Sequence, residues 1–425
     1  MTQIRTDIVV VGAGVAGLTA AASLAGAGFK VVLVHRGPAI AGLASAPLAG
    51  PFDPRVYAIS PENAGLLRSV GAWQALVAAR VAPVYDMRVF PRAGLAPGHV
   101  DELHLSAYEG RTESLAWIIE QDNLLRALAA AMPGRVRETT GEIAGIAWSQ
   151  DGRSVTVDLE DGQRVRAALL VGADGARSAV RAHAGIAVQG DAYDHHAVVA
   201  HLHCEAGHRD TAWQWFGDHG VLALLPLPDS ADVGPPAADP VSGRMVSIVW
   251  STAPGRARSL VEGGAQALGE AVAEVAGGLL GEMRPISDPI AFPLARRWAS
   301  SPIGERLVLI GDAAHVMHPL AGQGLNVGLG DVLDLTEVLA QARGRFSGSG
   351  FDPGQALLLR RHRRRRAEPV GSMLALTDGL QRLFGPATAS PAALPLRAVR
   401  DAGWRLFARQ ALLRRQLTRA ATRTR

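Results

Sequence analysis

The sequence predicts an α/β protein in which a Rossmann-like nucleotide-binding domain is interrupted by an inserted antiparallel β-sheet domain and followed by a helical C-terminus. Three observations carry that expectation. The stretch Asp7 to Arg36, "DIVVVGAGVAGLTAAASLAGAGFKVVLVHR", reads strand, glycine turn, helix, strand. Residues from about 190 to 295 alternate apolar and polar side chains, as an antiparallel sheet with one exposed face does. "RLVLIGDAAH", Arg306 to His315, then returns to the fully apolar pattern of a buried parallel strand.

Each element follows from the local chemistry. Ile8 to Val11 is a continuous apolar run suited to a strand buried on both faces, and Val31 to Val34 is a second. Gly14 to Ala27 is helical between them. "LAWIIEQDNLLRALAAAM", Leu115 to Met132, gives a short strand and a helix with apolar residues at helical spacing. Asp161-Gly162 marks a hairpin turn, and Ala168 to Val171 is a buried strand that ends in a glycine turn. "PDSADVGPPAADPVSG", from Pro228, is a polar hairpin loop within the β-rich part. A helix is expected from about Gly324 to Gln341, and beyond "RGRFSGSGFDPG" the chain reads as helical.

Composition narrows the function classes. A chain of 425 residues with 48% hydrophobic content can bury a large core. Its one cysteine, Cys204, rules out a disulfide framework and a cysteine-based metal site. No basic-then-apolar signal sequence opens the chain, and no apolar run approaches the ~18 residues of a membrane span, so a cytoplasmic protein is expected. The net charge is +4, yet residues 360–425 hold sixteen arginines against Glu368, Asp378 and Asp401. The rest of the chain is therefore acidic, which argues against a nucleic-acid groove.

The chemistry sits in two glycine clusters. Gly12, Gly14 and Gly17 form G-x-G-x-x-G in the right strand–turn–helix context. The first glycine permits the tight turn, the second lets a pyrophosphate approach the backbone, and the third lets helix and strand pack closely. The acidic residue that ordinarily ends the second strand is replaced by His35, followed by Arg36. Contact with the nucleotide would then come from a His35 hydrogen bond to a hydroxyl and from Arg36 stacked on adenine. In the second cluster Gly311 and Asp312 follow a strand, placing a carboxylate to accept a sugar-like hydroxyl or to cap a short helix. "HPLAGQGLNVGLGD", His318 to Asp331, then leads into a helix whose first amides favour a negative charge. One long cofactor, FAD, can span both clusters.

At this point the chain resembles the class A FAD-dependent aromatic hydroxylases of the para-hydroxybenzoate hydroxylase type, and within them the ubiquinone-biosynthesis hydroxylases. The resemblance covers roughly residues 5–385. It runs through "GAGVAG", "DPRVYAIS" (Asp53 to Ser60), "IIEQDNLLRAL" (Ile118 to Leu128), "GADGARSAVR" (Gly172 to Arg181), "WQWFGDHGVLALLPLPD" (Trp213 to Asp229) and "GDAAHVMHPLAGQGLNVGLGD" (Gly311 to Asp331). The last is the most specific, and "TDGLQRLF" (Thr377 to Phe384) adds a C-terminal match.

The resemblance implies an FAD-binding domain in three parts, residues 1–80, 116–185 and 299–345. Residues 81–115 and 186–298 would form the substrate domain, and 346–425 the helical C-terminal region. It assigns FAD contacts to Arg55, Gln121, Asp174 and Asp312, with Asp174 also serving NAD(P)H. Pro319 and the amides of Gly324, Leu325 and Asn326 would border the isoalloxazine. A histidine, His362, stands where the family usually has tyrosine.

The implied reaction is hydroxylation of a polyprenylated phenol in ubiquinone biosynthesis, with NAD(P)H and O2, through a flavin C4a-hydroperoxide. No catalytic acid or base stands out; His318 is the weak candidate, with His315 nearby. Trp213, Trp215, Phe216, Leu222, Leu224 and Leu227 are candidates for the apolar surface over the flavin or for ordinary core. His195, His196, His201 and His203 fit a solvated strand face better than a metal site. "LRAVRDAGWRLFARQALLRRQL", from Leu396, reads as a basic amphipathic helix, docked on the body or lying on the inner face of the cytoplasmic membrane. The same chemistry on a small soluble aromatic, and a flavin-binding structural role in a quinone-biosynthesis complex, are the alternatives.

Overall fold

The computed structural model describes residues 3–48, 50–229, 243–317, 323–346 and 350–384. Most of the loop from Pro228, His318, Pro319 and the basic stretch from Leu396 lie outside the described residues.

The central sheet is built on five parallel strands. Their spatial order is Leu307–Leu309, Arg164–Gly172, Gln3–Val11, Val31–His35 and Val136–Thr140. The first strand is therefore the middle one, with buried Ile8 and Val10 in the cluster formed with the helices Val15–Gly26 and Gln323–Arg345, and Val9 and Val11 in the cluster that holds Val155 and Val157 of the hairpin on the other face. Ile303–Gly304 closes one edge antiparallel, and the hairpin Ile143–Trp148 with Val155–Leu159 packs antiparallel on Arg164–Gly172. The helix Val15–Gly26 is rich in alanine, a strong helix former with almost no side chain to hold the partner away. It is nearly all buried between the sheet and the long helix Gln323–Arg345. Expected element positions in this part agree with the structure to within a few residues, because each is set by a local apolar period.

The second large sheet is mainly antiparallel. Ala192–Cys204, Met245–Thr252, Gly220–Leu227 and Thr211–Gly217 are successive neighbours. All pairings within about 190–295 in this sheet are antiparallel among the described residues, as expected, and Thr211–Gly217 then runs parallel to Asp86–Phe90 from the earlier segment. The four central strands of this sheet are covered on both faces, which corrects the expectation of one exposed face and decides Trp213, Trp215, Leu222 and Leu224 for ordinary core. Trp213, Trp215, Leu222 and Leu224 point away from the nucleotide-binding part and pack under the helices Pro254–Glu262 and Gly264–Val275. Trp215 is fully buried, stacked on Phe90 at 5.5 Å between ring centres. Phe216 joins a separate cluster with Val89 and Leu105. Leu227 does face the other way, against Phe52 and Ile118. The alternating pattern predicts one wet face, but in the central strands the opposite face abuts the strand Ala116–Glu120, and among the described residues of this sheet only the edge strand Ile290–Ala295 is largely exposed.

For the same reason His195 and His201 are buried rather than solvated. His201 Nε2 donates to the carbonyl of Asp53 at 3.0 Å. His208 is neutral by its bonding, donating from Nε2 to Leu227 O (2.9 Å) and accepting the Asp210 N–H on Nδ1 (3.0 Å). No cluster of metal-ligating side chains occurs among the described residues.

The two halves of the nucleotide-binding part are joined by one buried carboxylate. Asp331, in the long helix, accepts the Gly311 N–H (3.0 Å), His315 Nε2 (2.7 Å) and Arg366 Nε (2.8 Å). Burial opposes its ionisation, but the charges of His315 and Arg366 overcome that and hold the carboxyl below its ordinary range. Gly328 lets the long helix approach Gly311, since a Cβ there would come within 2.9 Å of the Gly311 Cα. Gly330 leaves room for the Arg366 guanidinium. The neighbouring Asp334 holds His362 Nδ1 at 2.7 Å, so the histidine found in place of tyrosine is a buried pairing group.

Two stability outcomes follow. Replacing Asp331→Ala leaves His315 and Arg366 buried without their partner, and should cost about 3–5 kcal/mol, measured by urea unfolding. Asp312→Ala, at an exposed position, should stay within about 0.5 kcal/mol in the same assay. The second outcome concerns pH. Burial lowers His201, His208 and His219, the last to about 4, so all three stay neutral when folded. Unfolded histidine takes up a proton near pH 6.5, so below that pH the unfolded state binds more protons. Stability should be full above about pH 6.5 and fall as the pH drops toward 4. His219 alone should account for on the order of 1–2 kcal/mol at pH 5 relative to pH 7.5.

Candidate active site

The candidate site lies at the carboxyl ends of the parallel strands, where ligands bind in such sheets. Gly12 sits in the left-handed region at φ +110°, and a Cβ on it would fall on the Ala173 carbonyl. A Cβ on Gly17 would fall on the Gly12 carbonyl. These two glycines are fixed by protein packing. Gly14 is different, because a Cβ there would meet nothing within 4 Å. It is the N-cap of Val15–Gly26, with no side-chain cap and no acidic residue in the first turn. That helix end therefore presents unpaired amides to an open space, which is a ready anion site.

Four side chains distant in sequence gather in a second group. The strand Val56–Ile59 pairs with Ala116–Glu120, so Arg55 and Gln121 become neighbours, the Gln121 N–H donating to Arg55 O at 2.9 Å. Tyr57, which the sequence reading did not single out, donates its hydroxyl to Gln121 Oε1 at 3.0 Å. Burial, and then the nearby Asp312 carboxylate, push the phenol up to about 12, with Arg55 opposing. Asp312 is crowded by protein atoms that raise its carboxyl above the usual range, against the pull of His315 and Arg55. Yet it is open to solvent, as a group lining a cleft should be.

Asp174 has both oxygens engaged inside the protein. Ser178 donates to one (2.5 Å) and the Val180 N–H to the other (3.0 Å), capping the helix Ala179–His183. Arg181 bridges this turn to the next by donating to Ala176 O and Ala313 O, each at 2.8 Å.

The long helix opens at Gln323, one residue before the expected start. Asn326 fixes that end. Its Oδ1 accepts the Ser60 N–H (3.0 Å) and Asn63 Nδ2 (2.9 Å), and its Nδ2 donates to Ala58 O (2.7 Å). The side chain is therefore spent on structure, leaving only main-chain amides of Gly324, Leu325 and Asn326 for a ligand. A Cβ on Gly324 would meet nothing within 4 Å. The first helix and the long helix meet beside Gly311, whose Cβ would lie 3.4 Å from Ala16 Cβ and 3.9 Å from Gly328 Cα. His315 is committed to Asp331 rather than free for chemistry. His35 turns its ring onto Glu138, with Nε2 to Oε1 at 2.9 Å, instead of out toward a hydroxyl. Arg36 pairs with Glu142 at 3.5 Å on the surface.

Over this cleft, Ala223, Leu225 and Val249 are half-buried on the sheet face that abuts Ala116–Glu120. The donor set as a whole fits FAD: the uncapped helix N-terminus at Gly14 for the pyrophosphate in the middle of the cofactor, the first amides of the long helix for its ring system, and Asp312 for the hydroxylated chain between them.

Comparison with known proteins agrees. The FAD binding domain family matches residues 5–366. The chain is 34% identical to the ubiquinone hydroxylase UbiL of Rhodospirillum rubrum, over 89% of this chain and 81% of that protein. It is 32% identical to the 3-demethoxyubiquinol 3-hydroxylase of Escherichia coli, over 99% of each. The crystal structure of the p-nitrophenol 4-monooxygenase PnpA of Pseudomonas putida superposes over the full length of both chains, with a TM-score of 0.71 at 18% identity, and so shares the fold. The chain belongs to the family of FAD-dependent monooxygenases that includes these ubiquinone hydroxylases.

Proposed function

We propose that this enzyme hydroxylates the ring of a polyprenylated phenol in ubiquinone biosynthesis, using FAD, NAD(P)H and O2. The observation that carries the proposal is the uncapped helix N-terminus at Gly14 and the open space at Gly324 in the first turn of the long helix, together with the group Arg55, Tyr57, Gln121 and Asp312. Relatives of this chain across nearly its full length are named as hydroxylases of that pathway.

The chemistry that FAD supplies when bound is transfer of electrons from NAD(P)H and insertion of one oxygen atom of O2 into an electron-rich ring. The protein's part is to bind, orient and keep water out. The amides after Gly14 would take the pyrophosphate, and Asp312 would accept a hydroxyl of the ribityl chain. Tyr57 stays protonated at neutral pH, so its hydroxyl remains a donor and holds Gln121 in place. The amides of Gly324, Leu325 and Asn326 would favour negative charge on the ring system, as a helix N-terminus does. Ala223, Leu225 and Val249 offer an apolar surface to the substrate and exclude water from the reacting ring. Asp174 would reach the cofactor or NAD(P)H only through the turn it caps. The apolar tail of the substrate partitions into membrane. Arg365 and Arg366 are spent on Asp334 and Asp331, and the remaining arginines from Arg360 onward would supply charge for peripheral contact with an anionic membrane face. No helix among the described residues is long and apolar enough to cross a membrane.

The test is NAD(P)H oxidation by the FAD-loaded protein. A prenylated phenol of the pathway should raise the rate about tenfold or more and emerge with one added hydroxyl. An FAD-loaded protein that no such phenol stimulates contradicts the proposal. Gly14→Asp separates binding from folding. It supplies a good N-cap, so stability should hold or rise by a few tenths of a kcal/mol. It also places a negative charge where the pyrophosphate belongs, so flavin affinity should fall about a hundredfold, read by fluorescence titration.

A further inference from the structure

A nucleotide-binding βαβ unit ordinarily ends its second strand with Asp or Glu, whose carboxylate accepts the ribose hydroxyls. In this chain that strand, Val31–His35, ends in histidine. The His35 side chain is only 3% exposed, and its Nε2 donates to Glu138 Oε1 at 2.9 Å. Glu138 lies in Val136–Thr140, the parallel neighbour of the second strand, where Glu138 stands opposite Leu33 and Thr140 opposite His35. The same oxygen accepts the Ile40 N–H at 2.9 Å, at the start of the helix Ile40–Ser45. Two donors thus fix one carboxylate oxygen, while the side chain stays 31% exposed.

The geometry resembles a displaced acidic residue. Histidine Nε2 and a glutamate carboxyl lie about equally far from their own Cα. A glutamate at position 35 whose side chain followed the path of the His35 ring would put its carboxylate about one hydrogen-bond length from that of Glu138. Of the other groups at this strand end, Arg36 is paired with Glu142 on the surface, both more than half exposed.

We infer that Glu138 supplies the carboxylate for the adenosine ribose of FAD, with His35 as the positioning residue that aims it. The inference rests on the FAD assignment and adds to it the one contact that the motif lacks. The ribose hydroxyls donate to the carboxylate oxygen that His35 and Ile40 leave available. A histidine at the strand end is thereby a relay to a neighbouring strand rather than a weakened site.

The experiment titrates apoprotein with FAD and with FAD lacking both adenosine ribose hydroxyls, read by flavin fluorescence. The wild-type chain should prefer FAD by tenfold or more. Glu138→Gln keeps the size and removes the charge, and should lose most of that preference. The double variant His35→Glu with Glu138→Gln returns a carboxylate to the strand end and should restore it, which a merely structural pair would not do. A Glu138→Gln protein with the wild-type preference overturns the inference, as does a wild-type chain with no preference. A wild-type chain that binds neither flavin overturns the FAD assignment itself.

Discussion

The site depends on keeping one carboxylate ionised where water does not reach. Asp331 is buried, and burial alone would favour its neutral form. It is held charged by His315 and Arg366, and it spends its remaining capacity on the Gly311 N–H. Those contacts lock together a strand-end turn, the long helix and the last described helix, Ala356–Phe384. Asp312 is the next residue after Gly311, so the orientation of the cleft carboxylate is inherited from the buried one. Breaking such a pair costs far more than a surface ion pair, because it strands charge in a dry interior.

The glycines of the two loops divide along the same line between structure and ligand. Gly12, Gly17, Gly328 and Gly330 are required by contacts within the protein. Gly14 and Gly324 are not, since a Cβ at either would meet open space. A long cofactor with a charged middle and a polar ring system accounts for both. It also accounts for an aspartate that is crowded by protein yet open to solvent.

What was legible in the sequence was local. The strand–turn–helix at Gly12 to Gly17, the strand before Asp312 and the long helix all follow from short-range periods, and the structure has them within a few residues. Positions set by long-range pairing were not legible. The alternation in Thr211–Gly217 gives two faces but does not say which one meets the cofactor-binding part, so the sequence leaves Trp213 and Trp215 open between the flavin face and ordinary core, and the structure places them in the core. Tyr57 carried no motif of its own; it matters because strand pairing brings it to Gln121 across 64 positions. The sequence offers His35 as a direct contact to a hydroxyl, because the partner that holds its ring, Glu138, lies 103 positions away.

The central claim is that this flavin site acts on a prenylated phenol of the ubiquinone pathway. The most direct measurement is the quinone-lipid profile, by mass spectrometry, of cells lacking this gene. The account predicts that one under-hydroxylated prenyl phenol accumulates while ubiquinone falls, and the structure of that intermediate names the ring position. An unchanged profile, in cells where no other hydroxylase compensates, would contradict the claim and assign the same site to a different aromatic substrate.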